Sequence, residues 1–570
     1  MGSTPSPDPG PQPPPPRVPA FALASDGYDL LRLRRRLLGS ANTARLLLGW
    51  LGFLLLWIFY GWWRQAPGLI GPTGILPASD FLNAVRQGVA GWHRFWLAPT
   101  LLWVSPSMGT LHLLCAAGLL AGALLIAGRW TRAAAAAAAV CFLSLIAAAQ
   151  AFASYQSDGM LMAALAIAIF VRPRAPSWWS MFSFRWLWFT IYFGSGVAKL
   201  MSGDPQWRHL TALDQYYQNL PLPNFAGWFA QQYLPHGIEA AIAASIFVIE
   251  LGVAWLAFGP RRARLTCFWI TTPFQVAIIL TANYGFLNYL VLGLGFALLD
   301  DRHLHWIAKR AGLYPWRRRA AAPAIDGRGP LPGCAAPALE GLWSAGPGPG
   351  EPKGARADEA ASSGGWPLAA ASLVLVAWVV ITGSDLAQRL WRPFPAAAEA
   401  AAALQPFRLA DPFGLFAVMT RNRYEIEFQG SGDGVHWTAY PFRFKPQDPA
   451  RAPVGDLFYL APYQPRFDWN LWFCSLGNYQ DNPLVEQTEL RLLDNDPAVL
   501  GLFAGNPFGR QPPRAVRAVI WQYWFATPTE KARDGVWWTR RLLGLYAPEL
   551  ARAPGGGVAA VGPGVGSMPE

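Results

Sequence analysis

Lys199, Glu250 and Gln275 interrupt apolar runs, FGSGVAKL, FVIEL and PFQVAIIL, and are the first residues whose placement calls for a chemical reason. An ionisable side chain in hydrocarbon is costly and turns toward other protein groups, a polar substrate or a proton path. Counting rise per residue from the inner ends of their runs, Glu250 lies about 12 Å deep and Gln275 about 16 Å. The two are therefore expected to share a hydrogen bond, with a polar-substrate or proton site as the other reading of Glu250. Lys199 falls only about one turn from the outer surface, where its ammonium snorkels to water. On this count a Lys199–Glu250 ion pair is not expected. Asn283 and Asn288, in NYGFLNYL, complete the candidate intramembrane polar set.

Catalytic signatures are scarce. The chain has seven His, and no HExxH, GxSxG, P-loop or dinucleotide fingerprint stands where its context would support it. His303 and His305 offer two ligands without a third, a weak metal site. No catalytic, cofactor-binding or metal-binding residue is assigned, and no cofactor is expected. Cys115, Cys141 and Cys267 lie in apolar runs, Cys334 in a linker and Cys474 beyond the last apolar run. No CxxC is present, which excludes two-cysteine thiol exchange, and Cys474, after Trp472 and Phe473, is read as a buried thiol.

The elements that must position these residues are mainly membrane helices. The 570 residues are 53% hydrophobic and only 14% charged, with 29 Trp. Windows able to cross a bilayer fall at 46–63, 110–128, 133–153, 186–202, 238–258, 265–281, 285–299 and 367–384, with a shorter ninth at 159–171. With nine spans, RLRRR (32–36), Arg129 with Arg132, Arg172 with Arg174, Arg261 to Arg264 and Arg302 to Arg319 all share one side. By the positive-inside rule that side, with the N-terminus, is cytosolic. The first helix reads as a retained anchor, since the preceding proline-rich stretch has no signal-peptide character. The net charge of +12 sits in short clusters beside apolar runs, which argues against nucleic acid as a partner.

The expected organisation is a disordered tail with a basic cluster (1–45), a bundle of about eight helices (46–316), a disordered Ala/Gly/Pro-rich cytosolic linker (317–366), a last span (367–384) and a β-rich external domain (385–570). In that domain RYEIEFQGSGDGVHWTAYPFRFKP reads as a hairpin, Val516–Phe525 and Gly535–Arg541 as further strands, and Pro465–Leu476 and Leu484–Leu502 as helices. The fold class is thus an α-helical polytopic bundle followed by an antiparallel, sandwich-like domain. Candidate contact residues are Trp207, Arg208, Trp437, Tyr440, Trp469 and Trp472. The bland reading of the first pair is an interfacial belt, of Trp437 and Tyr440 packing within the hairpin, and of Trp469 and Trp472 core packing. An external domain of this kind is expected to be separable, its removal leaving an inserted bundle.

FGSGVAKL with SGDPQWR, FVIEL with FGPRRAR, PFQVAIIL with NYGFLNYL, YEIEFQGSGDGVHW, KPQDPARAP, PYQPRFDWNLWF, NPFGRQPPR and VWWTRRLLGLY follow one another as they do in the lipase maturation factor family, which this chain resembles along most of its length. The resemblance implies a membrane-embedded maturation factor or chaperone whose partners are membrane lipid and an exported lipase or other secreted client. It also implies the ER membrane, whereas the Ala/Gly/Pro/Arg bias and the lack of Asn-x-Ser/Thr acceptors favour a bacterial inner membrane. The chain departs from the family at Tyr155-Gln156-Ser157-Asp158 with Ala163, and at Tyr216-Tyr217-Gln218-Asn219-Leu220-Pro221, where His and acidic side chains are usual. The alternative is an integral-membrane enzyme, since vitamin K-dependent carboxylases share the general layout. That reading needs a buried base and a lipid cavity, and Lys199 and Glu250 are the residues available to it.

Overall fold

The computed structural model describes residues 41–311, 365–390, 395–453, 461–553 and 557–561. The proline-rich tail before Ala41, most of the linker and Cys334 lie outside them. Each of the nine apolar windows falls on a helix: α1 Ala41–Ile70, α2 Met108–Ile126, α3 Thr131–Ala148, α4 Gln156–Ile169, α5 Trp178–Met201, α6 His236–Phe247, α7 Arg261–Thr281, α8 Leu287–Leu294 and α9 Gly365–Leu390. Six helices are long and apolar enough to cross a membrane: α1, α2, α3, α6 with its continuation to Phe258, α7 and α9. α4, and α8 with its continuation to Leu298, are shorter.

Polar ties hold one end of the bundle. The first free N–H groups of α1, on Asn42 and Thr43, donate to Asp301 Oδ1 at 3.0 Å each, so a carboxylate from a distant segment caps the helix. Arg261 pairs with the neighbouring Asp300, which itself caps the helix Asp301–Arg310 through His303 N. α9 sits at the periphery, held through Trp186 to Thr382 (2.9 Å) and Trp378 to the Leu409 carbonyl (2.8 Å).

The C-terminal domain carries one antiparallel sheet of six strands: β1 Arg423–Ser431, β2 Thr438–Ala439, β3 Ala515–Phe525, β4 Trp538–Leu545, β5 Glu549–Arg552 and β6 Val558–Val561. The order is β2-β1-β3-β5-β6, with β4 also on β3. The sandwich-like expectation is corrected, because among the described residues there is a single sheet. Helices α10 Arg466–Cys474 and α11 Pro483–Leu493 contact β1 and β3, and aromatic rings such as Phe442, Phe467 and Phe503 fill the core. The expected hairpin is short: β2 pairs with β1 only at Gln429↔Ala439 and Gly430↔Thr438, whereas β1 pairs with β3 from Arg423 to Ser431. Pro441 follows Tyr440 directly and brings no backbone donor to extend the ladder.

The alternation of β1 is real but its polar face is not solvated. Arg423, Glu425 and Glu427 are all buried, paired with one another or with Lys445, Gln447 and Arg540. Arg423 also donates to the carbonyls of Gln218 (2.8 Å) and Leu220 in the segment that joins α5 to α6. The sheet is thus seated on the bundle.

Candidate functional site

The segment FGSGVAKL, on the last turns of α5, is a seat for a strap of irregular backbone, residues 408–420. Backbone without helix or sheet partners must find side-chain partners when it is taken out of water. Here it does. Gln156 Oε1 accepts from Gly414 N (2.9 Å), Ser195 Oγ from Leu415 N (3.1 Å) and Asp204 Oδ2 from Met419 N (2.7 Å). Lys199 Nζ donates to the Leu415 carbonyl (3.1 Å), Trp207 Nε1 to that of Phe416 (2.9 Å), Gln206 to that of Met419 (3.0 Å) and Asn219 to that of Thr420 (2.9 Å). Phe416 sits at φ +56°, a costly conformation for a bulky residue, and is held there by the Trp207 bond and by packing on Tyr284, ring centroids 4.9 Å apart.

Two glycines explain the small residues of the motif. A Cβ on Gly194 would lie 2.5 Å from the Phe413 carbonyl, and one on Gly196 would lie 3.0 Å from Glu250 Cβ. Gly196 therefore lets α6 approach α5, where α6 widens into a π-helical turn, Val248–Gly252, that carries Glu250. Lys199 Nζ meets both Glu250 oxygens at 2.9 Å, and both side chains are buried. This overturns the expected geometry on three counts. Lys199 is 3% exposed and does not snorkel, the ion pair forms, and Gln275 donates to the Tyr192 hydroxyl (2.8 Å) rather than meeting Glu250. Depth counting failed because the Met201 end of α5 and the His236 end of α6 are not level: Gly196, about one turn from the end of α5, lies beside Glu250, about four turns into α6 and its continuation.

A second seam ties the C-terminal domain to the bundle. Arg466 makes two bonds to Asp158, at 2.6 Å and 3.0 Å, donates to the Phe152 carbonyl (2.7 Å) and lies 4.4 Å from the Trp62 ring centroid. Its backbone N–H donates to Gln65 Oε1 at 2.7 Å, and Gln65 returns a bond to the Gln464 carbonyl. Asp158 belongs to the altered Tyr155-Gln156-Ser157-Asp158 stretch; its partner lies 308 positions away and left no spacing signal.

The strap separates two cavities. The larger, about 590 Å³, lies where α4, the strap and α10 meet, and is lined by Tyr155, Gln156, Asn219, Trp469, Trp472 and Phe473 among others. The indole N–H groups of Trp469 and Trp472 are buried without an acceptor. The smaller, about 280 Å³, lies between α5, α6 and α7, with Lys199, Glu250, Gln275 and Asn288 at its polar side. Leu415, Phe416, Met419 and Tyr216 line both.

The remaining candidates separate clearly. Asn283 lies in the turn after α7, where its Oδ1 accepts from Gly285 N (3.0 Å), and is not inside a helix. Trp207, Tyr440, Trp469 and Trp472 are buried, so none is an exposed anchor; Trp437 is half-buried with Arg517 4.1 Å from its ring centroid. Arg208 is exposed. Cys474 is buried, which pushes its thiol up to about 12 and leaves it unreactive. One grouping had no sequence signal: Asp214, His236 and Glu239 bring donor atoms within 4.8 Å of one another, with His236 Nδ1 3.0 Å from Asp214 Oδ1. Lys199 and Glu250 neutralise each other, which leaves neither as the free base that a carboxylase-like enzyme needs.

Two family models match the chain, the lipase maturation factor transmembrane domain over residues 42–306 and the lipase maturation factor C-terminal domain over residues 409–548. Lipase maturation factor 2 of Homo sapiens is 31% identical across 90% of this chain and 83% of its own length. Lipase maturation factor 1 of Bos taurus is 31% identical across 90% of this chain and 89% of its own. No solved structure matches the chain. With both halves matched in order and relatives aligned along most of their length, the chain belongs to the lipase maturation factor family.

Proposed function

We propose that this protein is a multi-pass membrane factor that assists the maturation of lipases, and that it receives an apolar client segment in the larger cavity between bundle and outer domain. The relatives' names support the lipase role. The observation that carries the client site is the cavity of about 590 Å³ with two buried indole donors, on Trp469 and Trp472, that lack acceptors. An extended peptide supplies what is missing, because its carbonyls accept from the indoles while its side chains fill the apolar wall. Contact of this kind is reversible, as a factor that must release its product requires.

In this reading the nine helices all span, the N-terminus is cytosolic and the outer domain faces the client's side. The relatives reported are animal proteins, so the preference for a bacterial inner membrane gains nothing from them. Reporters at Gly350 and Gly555 are expected on opposite sides of the membrane; finding them on the same side would overturn this topology.

The client test replaces both indoles, Trp469→Phe with Trp472→Phe, which keeps ring packing and removes the donors. The expected result is a severalfold lower active yield of a co-expressed lipase, with unchanged lipase synthesis and unchanged melting of the factor. Unchanged active yield would remove the cavity as the client site. Unchanged yield after loss of the whole chain would remove the maturation role itself.

A further inference from the structure

The smaller cavity has a polar side whose charges are already spent. Lys199 directs its ammonium at Glu250 Oε1, Glu250 Oε2 and the Leu415 carbonyl, and the pair is electroneutral. Two neutral groups beside it are not spent. Gln275 uses its amide nitrogen on the Tyr192 hydroxyl and leaves Oε1 without a partner, and the Asn288 amide nitrogen has none. Both residues are more than nine-tenths buried, at 7% and 6% exposed. A buried donor and a buried acceptor left open each cost free energy that a suitable guest recovers.

The rest of the lining is apolar and includes Ile242, Ile246, Phe274, Ala277 and Ile278, from α6 and α7. These two helices are largely uncovered by protein, with Val248, Trp269, Val276 and Leu280 exposed in the sequence range that meets lipid. A guest therefore arrives from the bilayer. A carboxylate or phosphate head is disfavoured, since it would bring an unpaired charge to a site whose cation is occupied. A free hydroxyl both donates and accepts without charge, as these two groups require.

We propose that this cavity binds a neutral, hydroxyl-bearing single-chain lipid of the monoacylglycerol class. Its hydroxyls meet Gln275 Oε1 and the Asn288 amide, and its chain runs along the α6–α7 wall. The site is separate from the client cavity and from the maturation role, and the test below does not depend on either.

The full chain in nanodiscs is exposed to two photoactivatable probes of equal chain length, a monoacylglycerol and a fatty acid, and the labelled peptides are mapped. The monoacylglycerol is expected to label α6 and α7, to be displaced by unlabelled monoacylglycerol, and to exceed the fatty acid by about tenfold. Ala277→Trp fills the chain space and is expected to abolish the labelling. If that variant does not fold, Ile242→Phe, on α6, serves the same purpose. Gln275→Leu with Asn288→Leu is expected to erase the preference for the hydroxylated probe while lowering the melting temperature of the lipid-free protein only slightly, because the lost Gln275–Tyr192 bond is partly offset by the removal of two unsatisfied polar groups. Equal labelling by the fatty acid, labelling that persists in a folded cavity-filling variant, or a preference retained in the double Leu variant would each overturn the proposal.

Discussion

Lys199–Glu250 and Arg466–Asp158 are both buried cation–carboxylate pairs between segments distant in sequence, yet they are built for different tasks. Arg466 offers a planar fork that fits Asp158 with two bonds, stacks near Trp62 and takes a further carbonyl, so it fixes the C-terminal domain on α4 in one orientation. Lys199 is a point charge with three donors, shared between a carboxylate on a π-helical turn and the carbonyl of an irregular strap. The first seam joins two bodies by geometry. The second neutralises a charge beside a cavity and satisfies backbone that has no ladder of its own. A buried ion pair gains little over an apolar substitute of equal shape, but removing one partner strands the other.

The largest effect expected from breaking this comparison is that of deleting residues 409–570. Sequence patterning suggested a separable domain, but the deletion removes the strap from Lys199 and Ser195 and leaves Asp158 without its cation. The truncated bundle is expected to lose its monodisperse peak on size exclusion. A bundle that stays monodisperse with an unchanged melting temperature would show that neither seam supports it.

Arg466→Met and Lys199→Met each strand a buried carboxylate and are each expected to destabilise by about 3–5 kcal/mol, read as lowered melting temperature. The two should differ in rescue. Arg466→Lys is expected to recover little, because the second bond to Asp158 and the stacking near Trp62 are lost, whereas Lys199→Met recovers most of its loss when combined with Glu250→Leu. Full recovery by Arg466→Lys would erase the distinction between the seams.

A smaller effect separates Glu250 from Gln275. The sequence predicts that Glu250→Gln is tolerated through a bond to Gln275. In the fold both Glu250→Gln and Glu250→Leu leave Lys199 without a counterion, so both are expected to lower stability, while Gln275→Leu costs only on the order of 1 kcal/mol through its bond to Tyr192. Thermal unfolding of the three variants decides between the geometries, and a Glu250→Gln protein as stable as the parent would restore the older one.

The remaining effect depends on pH. Burial pushes the Asp468 carboxyl up to about 6, above its unfolded range, despite nearby Lys445. The folded state therefore binds a proton that the unfolded state releases, and stability falls as pH rises from about 4 to about 6, by on the order of 3 kcal/mol at most. Asp468→Asn is expected to flatten this part of the stability profile. An unaltered slope would assign the pH dependence to another group, of which Glu489, also raised by burial, is the first to test.

Much of the fold was legible because its signals are local. Apolar length gave the positions of the nine helices, alternation gave β1, β3 and β4, and the short apolar run before Arg172 gave α4. β5 and β6 were missed, being four residues each with little alternation, and the expected helix Leu484–Leu502 is broken over Asp494–Asp496, where Asn495 takes φ +53° and Pro497 opens a new short helix. The candidate site was legible only in part. Lys199, Glu250, Gln275 and Asn288 stand out from sequence because polar groups in apolar runs are costly, and all four line one cavity.

Who meets whom was decided by tertiary structure alone. Sequence counting assumes helices with level ends in a flat slab, and α5 and α6 are offset. Periodicity assigns β1 a polar face but does not say that Lys445, Gln447, Arg540 and the segment between α5 and α6 pair with it, and an irregular strap has no period to read. The residue types were set locally by what each environment tolerates. Their partners, Asp158 for Arg466 and the strap carbonyl for Lys199, depend on packing between segments more than 200 positions apart, which no window of sequence contains.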